Sequence, residues 1–238
     1  MKKLQIRDLI LFENTDYLAI NKPYGISTLE DRMENTNILA MAKETFPDIQ
    51  VCHRLDKDTS GILMLAKNPE AYKHLAMQFQ RREVDKTYHA VVHGNTSFDH
   101  ELVDLPLTVK GHGIVKWDVQ GGKESTTYFT TLQNFKLCSL IECKPLTGRR
   151  HQIRVHLKFI THPILADTMY EGSLLFLSQI KRNYKASQRD EKPMINRMPL
   201  HAYSIAFELV DGQSQYIEAP YPKDYEILLR QLNKYASA

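Results

Sequence analysis

The chain has 238 residues, of which 42% are hydrophobic, and its 31 Lys and Arg nearly balance 28 Asp and Glu. That length can bury roughly 70–75% of the unfolded surface, enough for one domain or two small ones, and the composition excludes disordered and fibrous classes. No apolar run nears the roughly 18 residues of a membrane span. Charges across Met1 to Asp8 interrupt any signal-peptide core, and Cys52, Cys138 and Cys143 form no C-x-x-C pair. Reduced thiols in a cytoplasmic protein are therefore expected, with neither a disulfide frame nor a zinc site.

The net charge of +3 is unevenly placed. Between Cys143 and Leu200 there are 11 Lys and Arg against 4 Asp and Glu. One basic face for a polyanion would account for this, as would a solvated lysine-rich surface.

The apolar runs 9–12 and 17–20 flank Glu13-Asn14-Thr15-Asp16 and predict a hairpin with Asn and Asp in the turn. Asn21-Lys22-Pro23-Tyr24-Gly25 follows as a loop. A short helix is expected from Asn37 to Phe46, stopped by Pro47. Next comes His53-Arg54-Leu55-Asp56-Lys57-Asp58-Thr59-Ser60-Gly61, running into an apolar stretch that ends at Ala66. The apolar half is a short core strand. Core packing does not ask for His-Arg-Leu-Asp ahead of it. A carboxylate beside cations at a strand entrance suits a reactive group, although Asp before Thr-Ser-Gly is also ordinary turn chemistry.

Asn68-Pro69-Glu70 opens another helix, with Asn as N-cap and Pro in the first turn, and Arg81 and Arg82 at its end suit the helix dipole. Lys86 to Gly94 alternates as a strand containing Tyr88. Residues 95–123 predict loops and short edge strands. Thr126 to Leu132 and Leu137 to Cys143 are two further strands. A helix is expected from near Arg149, where Arg150, Arg154 and Lys158 at i, i+4, i+8 would stack on one face and Ile153, Leu157 and Ile160 on another. His151 and His156 are five apart, do not share a face, and predict no metal site. A basic segment over about 170–200, containing Lys181, Arg182, Lys185, Arg189, Lys192 and Arg197, would be either an arm contacting a polyanion or a surface loop. A strand from Leu200 and a helix from Tyr225 to Tyr235 complete the chain.

Residues 53–67 closely resemble the HRLDxxTSGxxxxAK signature of the RluA-type pseudouridine synthases. Asn21 to Gly25 resembles the family's NKPxG element, Lys86 to Gly94 its KxYxAxVxG strand, and Gly148 to His156 its GRxHQIRxH motif. His162 to Asp167 is similar to HPILGD, with Ala166 where Gly is usual, so a differently bent loop is expected there if that Gly requires positive φ. The likeness spans about residues 9–234 and implies one catalytic domain over 1–238 without the small amino-terminal S4-type domain of many relatives. It implies an α+β fold, a mainly antiparallel mixed β-sheet flanked by helices.

The implied activity is isomerisation of uridine to pseudouridine in structured rRNA or tRNA, with no cofactor and no metal, by a chain taken as a monomer. By position in the motifs, Asp56 would be the nucleophile, Arg154 its ion-pair partner and Tyr88 the residue against the uracil. Arg54 would move with the vacancy left by a flipped-out nucleotide, and His53, Arg149, Arg150, Lys158, Lys181 and Arg182 would contact RNA. A non-catalytic RNA-binding domain of the same fold is the alternative, disfavoured by the intact Asp56, Tyr88 and Arg154 set. A base-releasing hydrolase would need a second carboxylate, and no motif supplies one.

Overall fold

The computed structural model describes residues 4–30, 36–181, 184 and 191–237. In chain order the elements are β1 (Ile10–Glu13), β2 (Tyr17–Lys22), α1 (Ile38–Lys43), β3 (Gln50–Val51), β4 (Ser60–Ala66), α2 (Pro69–Arg81), β5 (Asp85–His93) and β6 (Glu101–Asp104). They continue with β7 (Leu107–Val109), β8 (Val115–Trp117), β9 (Thr126–Asn134), β10 (Cys138–Pro145), α3 (Gln152–Phe159), α4 (Leu177–Ile180), β11 (Leu200–Glu208), β12 (Ser214–Glu218) and α5 (Lys223–Tyr235). The α+β class and the mainly antiparallel mixed sheet are as expected. The chain forms two compact units, one drawn from residues 1–87 and 201–220, the other from 88–200 and 221–238.

In the first unit the strand order is β1-β2-β4-β11-β12, and β3 also pairs with β4. All these pairings are antiparallel except β4 with β11. The β1–β2 hairpin turns where expected because Asn14 Oδ1 accepts from the N–H groups of Asp16 and Tyr17, at 2.9 and 2.6 Å. That is the side-chain turn chemistry of asparagine. β4 is buried along its whole length. Its parallel contact with β11 requires glycine at position 61, where φ is +112° and a Cβ would lie 2.2 Å from the Ala202 carbonyl oxygen. The same junction is tied by Ser60 and His201 Nδ1, 2.9 Å apart and both buried.

α2 begins as its sequence dictates: Asn68 Oδ1 accepts from the Ala71 N–H at 2.8 Å and Pro69 occupies the first turn. Arg82 ends it in the left-handed region at φ 63°, which lets its N–H reach the carbonyls of Gln78 and Phe79. Ala71 and Leu75 pack with Tyr17, Ile62, Met64, Phe207 and Ile217 in the core of this unit.

In the second unit β5, β10, β9 and β6 are neighbours in that order, and β7 with β8 forms a separate hairpin. β10 pairs antiparallel with both β5 and β9. Ile153 and Leu157 of α3 dock on Ala90, Val92, Ile141 and Cys143, with Ile160 at the margin, so the predicted apolar side of that helix is buried, and Gln152, Arg154, Val155 and His156 are buried as well. Val155 packs instead with Leu107, Val115 and Tyr170. α5 is held by Tyr225, Leu228 and Leu232, which meet Leu175, Ile180 and Ile195 of the basic segment. The described parts of that segment, 170–181 and 191–200, therefore contribute to the core. One of its cations, Arg197, is 4% exposed and binds Asp224 through Nε and Nη2. Arg182, Lys185 and Arg189 lie outside the described residues.

Among the described residues no helix is long and apolar enough to cross a membrane, and no cluster of three or more His, Cys, Asp or Glu could hold a metal ion.

Candidate active site

In the first unit, Asp56 sits partly exposed in the short connection between β3 and β4. The bed beneath it is built from its neighbours. The Thr59 N–H donates to the Asp56 carbonyl at 3.1 Å, closing a turn over residues 56–59. The Lys57 carbonyl accepts from the Gly25 N–H at 2.9 Å and from Lys22 Nζ at 3.2 Å. Lys22 is fully buried and also donates to the carbonyls of Pro23 and Ile26, at 2.9 and 2.8 Å. The Asn-Lys-Pro-x-Gly element thus folds around its own ammonium group and fastens to the residue after Asp56. A buried ammonium needs such partners, since charge without them is costly to desolvate.

His53 has a different place from the RNA contact expected of it. Its Nε2 accepts the Met64 N–H at 3.0 Å, and its ring lies 4.8 Å from that of Phe79. It stands in for a strand carbonyl on the β4 edge, between the stretches covered by β3 and β11. Burial, and then the Lys86 cation, push its pKa down to about 3, so the ring stays a neutral acceptor. Lys86 in turn is pushed down to about 8 by burial and by Arg82, against the opposing pull of Asp85. Arg54, by contrast, is exposed.

In the second unit, Tyr88 lies on β5 opposite Cys143 of β10 and packs its ring on the core beneath α3. α3 begins at Gln152 rather than near Arg149, and the cause is Gln152 itself. Its Oε1 accepts from the Arg149 N–H and Thr147 hydroxyl, at 2.9 and 2.7 Å. Its Nε2 donates to the Thr126 carbonyl and the Thr127 hydroxyl, both at 2.9 Å. These bonds hold 147–150 as a loop against β9, and His151 enters the helix at φ 54°.

The expected stack of three cations is therefore not formed. Arg150 precedes the helix and is exposed. Lys158 binds Glu171 at 2.6 Å. Arg154 is 5% exposed, with Nε and Nη2 each 2.7 Å from a different oxygen of Asp167. Tyr170 covers the guanidinium, its ring centroid 4.7 Å from Cζ. The Tyr170 hydroxyl accepts from the Val115 N–H at 3.1 Å and meets His151 Nδ1 at 2.7 Å. Planar arginine suits this two-pronged, stacked seat, which lysine could not fill.

Asp167 and Tyr170 received no role from sequence. Asp167 closes the His162-to-Asp167 motif, but nothing local ties it to an arginine 13 residues earlier. In the loop before Asp167, Ala166 adopts φ 57°, a left-handed conformation that glycine takes without strain and alanine does not. Gly172 lies behind the loop, where a Cβ would be 1.9 Å from the Ile164 carbonyl oxygen.

Among the remaining candidates for RNA contact, Arg149 is exposed and its Nε donates to the Glu124 carbonyl at 3.0 Å. Lys181 is half-buried, with Nζ 4.9 Å from the centroid of the Tyr235 ring. Trp117 and Phe159, both about half exposed, form an edge-to-face pair at 5.5 Å that sequence did not suggest.

Residues 16–159 match the RNA pseudouridylate synthase family. Ribosomal large subunit pseudouridine synthase C of Pasteurella multocida is 33% identical over 245 residues, covering 100% of this chain and 72% of that protein. Dual-specificity RNA pseudouridine synthase RluA of Vibrio parahaemolyticus is 33% identical over 207 residues, covering 83% of this chain and 76% of that protein. Among solved structures, human RNA pseudouridylate synthase domain containing 1 is 25% identical at a TM-score of 0.70, covering 93% of this chain and 87% of that one. Human RNA pseudouridylate synthase domain containing 4 shares the fold at a TM-score of 0.72 and 22% identity, covering 96% and 94%. With the family match extending over more than half the chain and both bacterial relatives aligned over most of it, the chain belongs to the RluA-type RNA pseudouridine synthases, enzymes that isomerise uridine in RNA.

Proposed function

We propose that Asp56 is the nucleophile of this synthase and that its substrate is a uridine in structured ribosomal or transfer RNA. The observation that carries the assignment is the bed of Asp56, a carboxylate on a short turn whose neighbouring backbone is fastened to buried residues. A carboxylate suits the reaction because it attacks and also leaves. The glycosidic bond to N1 breaks, the uracil turns, a bond to C5 forms, and the C5 proton is lost to solvent while N1 gains one.

Arg154 supplies positive charge for this carboxylate chemistry. Its support is the rigid seat made by Asp167 and Tyr170, because a preorganised charge acts without reorganisation cost. Tyr88 lies against the uracil and assists removal of the C5 proton. A uridine in folded RNA is stacked, so reaching it costs a few kcal/mol of unstacking. Exposed Arg54 takes the vacated place, and Arg149, Arg150, Lys158 and Lys181 bind phosphates, with Arg182 among them by its position in sequence. His53 is assigned to the β4 edge instead.

The two units act as one catalytic domain, a reading supported by relatives that align across the whole chain. The names of those relatives point to ribosomal RNA as the first substrate to try. Three free cysteines, with burial pushing Cys52 and Cys138 up to about 12 and burial, then Glu142, raising Cys143 well above the usual thiol range, fit a reducing cytoplasm.

The test is tritium release from RNA labelled at uracil C5, taken from cells lacking this gene. Wild-type protein is expected to release tritium and Asp56→Ala to release none while still binding RNA. Release by Asp56→Ala at the wild-type rate would remove Asp56 from the mechanism. Free uracil in the supernatant would replace the isomerase by a hydrolase.

A further inference from the structure

We propose that Thr28 is a positioning residue for Asp56, acting through the backbone of Leu55. The proposal rests on Asp56 as the nucleophile and adds the device that sets its place.

Leu55 immediately precedes Asp56 and is 3% exposed, yet it belongs to no strand that could satisfy its backbone. Thr28 supplies both partners. Its hydroxyl donates to the Leu55 carbonyl at 2.8 Å and accepts from the Leu55 N–H at 3.2 Å. A hydroxyl is the smallest side-chain group that donates and accepts at once, so one threonine does the work of a neighbouring strand. Thr28 is itself 3% exposed, so water does not compete for these bonds.

Thr28 is in turn anchored. Its carbonyl accepts from the Leu39 N–H at 3.1 Å, and the Ser27 carbonyl accepts from the Ile38 N–H at 2.9 Å. Both donors lie in the first turn of α1, where helical N–H groups need outside partners. α1 is seated by buried Ile38, Met41 and Ala42. On the far side of Asp56, Lys57 is held by Gly25 and Lys22. The α-carbon of Asp56 is therefore fixed between two residues, each bonded to the 22–28 loop. For a nucleophile, misplacement of about 1 Å can cost on the order of 100-fold in rate.

The experiment compares wild type with Thr28→Val, which keeps shape and loses the hydroxyl, Thr28→Ser, which keeps the hydroxyl, and Thr28→Cys, which keeps only a weak donor. Tritium release is measured at a temperature where circular dichroism shows each variant folded. Thr28→Val is expected to lower kcat by roughly 10- to 100-fold with KM for RNA within about threefold, and Thr28→Ser to stay within about threefold of wild type. Hydrogen exchange across residues 54–58 is expected to quicken in Thr28→Val while that of α2 is unchanged.

A folded Thr28→Val enzyme with wild-type kcat overturns the proposal, and so does a Thr28→Ser enzyme as impaired as Thr28→Val. If Thr28→Val does not fold, Thr28→Cys decides: a lowered kcat at unchanged KM supports the proposal and a wild-type kcat overturns it. Asp56→Ala run alongside separates the two levels. Its full activity would remove both the nucleophile and this proposal, whereas its inactivity beside an unaffected Thr28→Val would remove this proposal alone.

Discussion

Arg154 and Asp167 meet through two parallel hydrogen bonds of 2.7 Å, with 6% and 2% of their side chains exposed. A pair buried to this degree depends on both members being present. Taking Asp167 away removes the two-pronged partner of a buried guanidinium, at a cost of roughly 3–5 kcal/mol, whereas replacing both by apolar groups is often close to neutral. Asp167→Ala is therefore expected to lower the thermal midpoint and abolish tritium release. The double variant Arg154→Met/Asp167→Leu should recover much of the midpoint but none of the turnover. Thermal melts beside single-turnover assays check both, and a double variant that turns over would show that this guanidinium is dispensable.

Gly61→Ala addresses the junction of β4 with β11. With φ at +112° and the Ala202 carbonyl oxygen 2.2 Å from the new Cβ, neither strain nor collision can be relieved locally. A loss of more than about 4 kcal/mol is expected, the exceptional end of single substitutions. Urea denaturation reads it. A variant within about 1 kcal/mol of wild type would mean that β4 and β11 can separate without loss of the fold.

Ala166→Gly should act in the opposite direction. An alanine at φ 57° carries the left-handed penalty, on the order of 1–2 kcal/mol, which glycine does not. Greater freedom of the unfolded chain offsets part of the gain, so about 0.5–1 kcal/mol of stabilisation is expected. The midpoint should rise with kcat unchanged. A fall in the midpoint would place some other constraint on that loop.

Acid should weaken the fold through two histidines. Burial pushes His156 down to about 4, and burial with Lys86 pushes His53 down to about 3. Each is neutral when folded and takes up a proton on unfolding at pH values between its folded pKa and the ordinary value near 6.5. Their contribution is complete above about pH 6.5 and is lost as pH falls toward about 4 and then 3. Melts from about pH 7 down to about pH 4.5 should show a declining midpoint, and His53→Gln should flatten the decline while lowering the midpoint at neutral pH. An unchanged slope in that variant would clear His53 of the effect.

The local elements were legible because their causes are local. Asn14 turns the hairpin within three residues, and Asn68 and Pro69 start α2 from within its first turn. α3 starts later than its periodicity predicts because Gln152 spends its amide on the preceding loop and on β9, contacts that helical periodicity does not encode. The same bonds explain why evenly spaced cations never became a face.

By itself, the sequence carried the family resemblance and, through it, the α+β class and Asp56 as the proposed nucleophile, because motif strings are properties of neighbours in the chain. Tertiary structure alone decided who holds whom. Asp167 takes Arg154 across 13 residues, Thr28 satisfies Leu55 across 27, and Ser60 meets His201 across 141. Those pairings arise because buried polar groups must find partners wherever the fold brings them, and sequence distance does not enter that requirement.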